Sequence, residues 1–322
     1  MASFNDNNSN ILSAEESKIR FDRQIRVWGA EAQANIQKSH VLICCLRGLH
    51  PEVVKNIVLA GVSVTIQDDK NVTANDLASN FFLSKDDIGS NIAKSALSRI
   101  SNLNNFATVK EETKSLSELS DEYFKQFAVI MVCNDCDEKH VIRISEICRR
   151  NKLIFFSSIV FGEEGFFFQD FGENFEYKED PPKNKDFKNI SCHSYEYMIK
   201  KKWCDMIQKL YPLNITFVKS RIIVDFIKTY GKIPEQNDVD SINNIAIKLL
   251  HENNIQNENF VVSLDLQKLC TNCYGAPIMI CSVLGSFLGQ QVIKAVSKSG
   301  NPGNQINVFS GNDYICTSIP LL

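Results

Sequence analysis

Residues 40 to 67 run through a strand, a turn, a helix and a second strand, and that unit constrains the fold more than any other part of the chain. Val41 to Cys45 is an apolar run of strand length. Pro51 and Glu52 then read as the first turn of a helix, because proline has no N–H to lose there and an acid suits the positive helix end. The helix runs to Ala60 and Gly61 ends it. Ser63 to Gln67 follows as a strand, with Val64 and Ile66 alternating. Strand–helix–strand in this order is a βαβ unit with a right-handed crossover, which implies a parallel sheet covered by helices.

The rhythm repeats downstream. Asn91 to Leu103 reads as a helix, Thr108 to Lys110 as a strand and Ser117 to Gln126 as a helix. Ala128 to Cys133 is an apolar strand, Glu138 to Asn151 a helix and Leu153 to Ser157 another strand. Val160 to Gln169 reads as further strand in a hairpin. The fold class is therefore α/β, a doubly wound, mostly parallel, Rossmann-like sheet. Upstream, Ser13 with Glu16 forms a capping box that starts a helix; Gly29 interrupts it and Ala30 to Lys38 resumes it. Residues 1–12 read as a disordered start. Tyr177 to Asp186, with three Lys, three acids and two Pro, reads as a solvated connection. One strand at Asn189 to His193 and helices near Tyr195 to Leu210, Lys219 to Tyr230, Asp238 to Glu252 and Ser263 to Cys270 form an insertion. Gly275 to Ser297 is a long apolar helix, and Gln305 to Phe309 and Tyr314 to Thr317 are closing strands. The organisation is one α/β domain, 13–176 with 275–322, interrupted by a linker and helical insertion at 177–274.

The chain has 322 residues, 44% hydrophobic and 23% charged, with a formal net charge of −3. Nothing in that balance favours a nucleic-acid or membrane-surface binder, since there is no surplus of cations to meet phosphates. The opening MASFNDNNSN lacks the charge and apolar core of a secretory signal. The eleven Cys, widely scattered, are expected as reduced thiols.

In a doubly wound sheet the first βα turn holds phosphates, and here it reads CCLRGLHPE. Such a turn uses glycines so that backbone can approach the anion. Only Gly48 is present, with Cys45 and His50 standing where a three-glycine loop would have the other two. Their side chains would crowd a nucleotide, so the turn reads as structural. Asp68 and Asp69, ending the second strand, stand where a ribose-binding acid would stand. A nicotinamide-dependent dehydrogenase would want the missing glycines.

The string FDRQIRVWGAEAQANIQKSHVLICCLRGL, from Phe21 to Leu49, with NIVLAGV at Asn56 to Val62, resembles the opening of E1-type activating enzymes of the ThiF/MoeB type. NFFL, SNLNN, KLIFFSSIVFGEEGFFF and the C-terminal GQQVIKAVS support the resemblance, which spans about 18–176 and 275–322. Within that family the chain is most similar to the smaller, non-catalytic subunits of SUMO-activating heterodimers. The resemblance implies a larger catalytic partner subunit that holds ATP and Mg, adenylates the C-terminal glycine of the ubiquitin-like protein SUMO, and carries the thioester Cys. It implies no cofactor bound by this chain, and a nuclear and cytoplasmic location.

Departures from the active members point the same way. Ser79 stands where they resemble one another in a phosphate-holding Arg. Their A-L-D-N string is here CNDCD, so either Asp135 or Cys136 falls near the Asp that organises ATP and magnesium. Cys45, Gly48, His50, Asp68, Ser79, Asp135 and Cys136 thus form a vestigial nucleotide site. Arg23, in FDRQIR, matches the arginine that in this family reaches into the ATP site of the other subunit; Gln24 and Arg26 are weaker candidates. An arginine in trans would stabilise charge on the leaving pyrophosphate. The pairs Cys133–Cys136 and Cys270–Cys273 could make a zinc site by count, but read better as buried thiols. Cys192 and Cys204 lie where a thioester nucleophile would be sought, without its context. The alternatives are a self-sufficient ThiF/MoeB-like adenylating enzyme and the pseudo-subunit of a neddylation-type E1.

Overall fold

The computed structural model describes residues 14–179, 187–206, 213–255, 258–273 and 275–321. The expected disordered start at 1–12 and the cap at Ser13 lie outside the described residues, as do 180–186 of the connection and 207–212 of the insertion. Eight strands form one sheet: β1 (His40–Cys44), β2 (Ser63–Gln67), β3 (Val109–Glu112), β4 (Val129–Cys133), β5 (Ile154–Phe161) and β6 (Glu164–Asp170), with β9 (Ile306–Ser310) and β10 (Ile315–Ile319) at one edge. A separate hairpin pairs β7 (Phe175–Lys178) with β8 (Phe187–Ile190). The order is β10-β9-β6-β5-β4-β1-β2-β3. β3, β2, β1, β4 and β5 are parallel, and β6, β9 and β10 pair antiparallel with their neighbours.

The helices are α1 (Ala14–Trp28), α2 (Ala30–Lys38), α3 (His50–Ala60), α4 (Ile92–Ser101), α5 (Asp121–Phe124), α6 (Glu138–Arg150), α7 (Tyr195–Lys200), α8 (Trp203–Met206), α9 (Ile215–Tyr230), α10 (Val239–Glu252), α11 (Glu258–Ser263), α12 (Leu266–Asn272) and α13 (Ile278–Ser297). Strand periodicity divides the core into two layers. Val41 and Ile43 of β1, with Val129 and Met131 of β4, face α3, α4 and α13. Leu42, Cys44, Ile130 and Val132 face α6 and the inserted helices α7 to α10. The insertion is thus a layer of the same core, with Phe217 and Ile222 of α9 packed among Phe155, Phe166 and Phe168.

Some elements differ from expectation. The helix read over Ser117 to Gln126 is confined to α5, because Ser115 and Glu118 close a turn of their own and Ser120 caps at Tyr123. Val160 belongs to β5, which extends past Ser157, and the hairpin turns at Gly162. The solvated connection begins as strand β7. The last inserted helix starts at Leu266, where the Asp265 side chain caps Lys268.

α13 is long and apolar enough to cross a membrane, yet half of that window is buried in this fold. Two glycines let α13 approach α3 closely. A Cβ on Gly285 would lie 2.9 Å from the Glu52 Cβ and 3.1 Å from the Leu49 carbonyl oxygen, and one on Gly289 would lie 3.4 Å from the Asn56 Cβ. Gly285→Leu is expected to destabilise the fold by about 2–3 kcal/mol, an overpacking cost. The outward-facing Ser286→Ala should stay within about 0.5 kcal/mol; urea unfolding of the two variants measures the difference.

Candidate functional site

The chain leaves β1 toward β2 and β3, then crosses to β4 and β5, so the sheet reverses direction between β1 and β4. In open α/β sheets the crevice beyond the carboxyl ends of the strands at such a point is where a ligand binds. Here four segments converge on it: the turn from Cys45 to Leu49, the end of β2, the short turn Asp76–Ala78, and the loop after β4.

A cation that sequence reasoning missed stands at the centre. Arg47 lies 3.4 Å from Asp135, 3.6 Å from Asp76 and 3.8 Å from Asp68. Burial alone would favour neutral guanidine, but Asp135, Asp68 and Asp76 more than offset it and hold the proton firmly. Asp68 is fully buried. Its carboxylate accepts from the Leu46 N–H at 3.0 Å and the Lys70 N–H at 3.1 Å. Desolvation nonetheless pushes its pKa up to about 6, against the pull of Arg47 and those two N–H groups. The Asn80 amide donates to the Leu46 carbonyl at 2.9 Å and closes the turn from the far side.

Cys45 itself sits in left-handed backbone at φ 65°, and Gly48 at φ 55°. The Cys45 carbonyl accepts from His50 Nδ1 at 2.8 Å, and His50 Nε2 lies 3.2 Å from the Ser158 hydroxyl. Those partners fit one neutral tautomer, with Nδ1–H donating and Nε2 accepting. Burial drives the His50 pKa down to about 4, so the imidazole is neutral at physiological pH. Cys136 donates from Sγ to the Cys133 carbonyl at 3.1 Å. Asp135, not Cys136, therefore faces the crevice cation.

The structure brings Cys45, Gly48, His50, Asp68, Asp135 and Cys136 around one place. It does not draw in Ser79, whose hydroxyl makes no hydrogen bond among the described residues; Asp76, three residues earlier, supplies the contact there. Asp76 had no signal in the sequence, and Arg47 only an indirect one. Acids closing β2 and following β4 meet at a switch point, and three carboxylates in one crevice require a cation. From the insertion side, Arg221 donates to Glu138 at 2.7 Å and lies 3.4 Å from the Tyr195 hydroxyl, which the Asn134 amide also contacts at 3.4 Å.

This crevice does not fit ATP and magnesium. A polyphosphate needs surplus positive charge and open backbone N–H groups. Here one guanidinium faces three carboxylates, an Asp68 oxygen already takes the Leu46 N–H, and the His50 ring is buried in the turn. Among the described residues no cluster of three or more His, Cys, Asp or Glu could hold a metal ion. The Cys133, Cys270 and Cys273 thiols are buried, and desolvation pushes all three up, Cys270 to about 11 and Cys273 to about 12. Cys192 is buried too and raised to about 11, while Cys204 lies half-buried beside Asp205.

Arg23 stands apart, on α1. It is exposed and has no ion-pair partner among the described residues. Arg26 pairs with Asp22 at 2.8 Å, four residues back.

If Arg47 holds the crevice together by charge, Arg47→Met leaves three carboxylates uncompensated. It should cost about 3 kcal/mol or more at pH 7.5. The loss should shrink on acidification toward pH 5. A carboxyl whose pKa is raised in the fold destabilises only when ionised, and removing Arg47 raises Asp68 further. Urea unfolding of both proteins across that range tests the sign.

Comparison with known proteins follows the same outline. The ThiF family model matches residues 21–319. SUMO-activating enzyme subunit 1 of Rattus norvegicus is 31% identical over 328 residues, with 92% of each chain covered. The Homo sapiens protein of the same name is 30% identical over 328 residues, covering 92% of this chain and 93% of its own. That of Dictyostelium discoideum is 28% identical over 309 residues, covering 93% and 92%.

Proposed function

The chain belongs to the ThiF family, and on that premise we propose that it is the small, non-catalytic subunit of a heterodimeric SUMO-activating enzyme. The observation that carries the reading is Arg47 among Asp68, Asp76 and Asp135: the crevice where an adenylating subunit would hold ATP is taken up by this chain's own charges. Similarity over 92% of the chain to SUMO-activating enzyme subunit 1 supports the choice of modifier.

In this reading ATP and magnesium belong to the larger subunit. There the C-terminal carboxylate of SUMO attacks the α-phosphate, an acyl-adenylate forms and pyrophosphate leaves. This chain contributes Arg23, whose guanidinium, without an ion-pair partner among the described residues, would meet the phosphate charge across the interface. Charge-assisted, bidentate contacts of that kind are strongest where water is excluded. The larger subunit would dock on the outer face of α3 and α13. α3 exposes Leu59 and α13 exposes Ile278, Met279 and Val283, with Met279 54% and Val283 47% exposed, and Lys55 of α3 lies over the ring of the exposed Phe81 at 5.5 Å. Exposed large apolar side chains on a pair of packed helices are candidates for an interaction surface.

Two outcomes are expected. SUMO-dependent ATP–pyrophosphate exchange should be silent with this chain alone and active with the larger subunit. Arg23→Ala should lower it roughly tenfold or more, about 1.4 kcal/mol of transition-state stabilisation. Exchange by the isolated chain would sink the reading. Separately, Met279→Asp with Val283→Asp should leave the isolated chain folded and weaken heterodimer formation by roughly a hundredfold, about 2.7 kcal/mol, as read by sedimentation.

A further inference from the structure

α1 has fifteen residues, and of Glu15 to Trp28 only Phe21 is fully buried. A helix that short is marginal on its own and takes its stability from docking. Its docking is specific. The Phe21 ring sits on Gly61, the left-handed residue that ends α3 at φ 101°, where a Cβ would lie 3.0 Å from the Phe21 Cζ. Phe106 meets the same ring edge-on, with centroids 5.5 Å apart. Seven residues on, Trp28 Nε1 donates to Gln33 Oε1 at 3.1 Å, and Gln33 Nε2 donates to the Ala60 carbonyl at 3.0 Å. Both anchors therefore end on adjacent residues, Ala60 and Gly61.

Arg23 lies between those anchors, two residues after Phe21, and makes no ion pair among the described residues that would fix it. Resting on the reading that Arg23 acts in the partner's site, we propose that Phe21, seated in the Gly61–Phe106 socket, is the positioning residue that aims Arg23. The socket suits Gly61: at φ 101° a side chain would be strained, and a Cβ there would crowd the Phe21 ring edge at 3.0 Å. An arginine on a frayed helix would reach the same place only part of the time. Orientation lost in this way slows the chemical step without changing what binds.

The test uses the purified heterodimer with Phe21→Ala, Phe21→Leu, Arg23→Ala and the double variant Phe21→Ala/Arg23→Ala. Phe21→Ala should lower kcat for ATP–pyrophosphate exchange nearly as far as Arg23→Ala, with KM for SUMO unchanged. Phe21→Leu should recover most of the rate. The double variant should be no slower than Arg23→Ala within about twofold, since two residues acting through one contact are not additive. In the isolated chain, amide hydrogen exchange should rise across α1 for Phe21→Ala and stay level in β1 and β4. An undiminished rate for Phe21→Ala, or losses that multiply in the double variant, would overturn the positioning role alone. An undiminished rate for Arg23→Ala would overturn both that role and the reading it rests on.

Discussion

One guanidinium holds the switch point closed. The topology brings the carboxyl ends of β1, β2 and β4 to a single crevice, and the loops there supply Asp68, Asp76 and Asp135. Three carboxylates at that spacing cannot remain ionised together without a cation. Arg47, rising from the turn between β1 and α3, is that cation. Its neighbours follow from its placement. The Leu46 N–H turns to Asp68, the Leu46 carbonyl takes the Asn80 amide, and the following His50 folds under the turn as a neutral ring. A site that could have been balanced by a ligand is balanced from within.

The insertion closes the other flank by the same means. Arg221, carried in on α9, is buried against Glu138 and Tyr195. A buried ion pair is weak evidence of stability, because desolvation offsets most of the attraction, but a partnerless buried charge is costly. Each pair therefore ties its elements to one another: Arg47 joins the first βα turn to β2 and β4, and Arg221 joins the insertion to α6. The two internal arginines make the crevice a structural joint between layers.

The fold was legible because its strongest signals are local and periodic. Alternation in Ser63–Gln67, the proline at the start of α3 and the glycine at its end each state one element, and their order states the topology. What escaped was set by side chains acting across elements or by competing turns. Ser115 and Ser120 cut short a helix that the pattern around Leu119 supports, and Asp265 restarted another. The candidate site was half legible. Cys45 and His50 stood out in the turn and the structure places both there, but Arg47 looked like any loop arginine until the sheet brought three acids to it. Choosing between Asp135 and Cys136 was beyond the sequence, since a one-residue shift decides it and only the loop geometry fixes which side chain turns inward.

In the proposed reading, the same geometry accounts for how one feature of a nucleotide-handling subunit could be kept while another is lost. A phosphate crevice is an agreement among four segments, in which the turn must be bare, its N–H groups free and the nearby charge positive. A single bulky residue at Cys45 or His50, or one extra internal charge pair, breaks it. An arginine offered to a neighbouring subunit needs much less. It needs an exposed position on a helix and a mount that holds the helix still, and Phe21 on Gly61 with Trp28 on Gln33 meets both conditions at the far end of α3 from the crevice. His50 begins α3 and Gly61 ends it, eleven residues and about 16 Å of helix apart. The contacts at the two ends share no side chain, so in this reading the crevice and the arginine mount are separable parts on one helix.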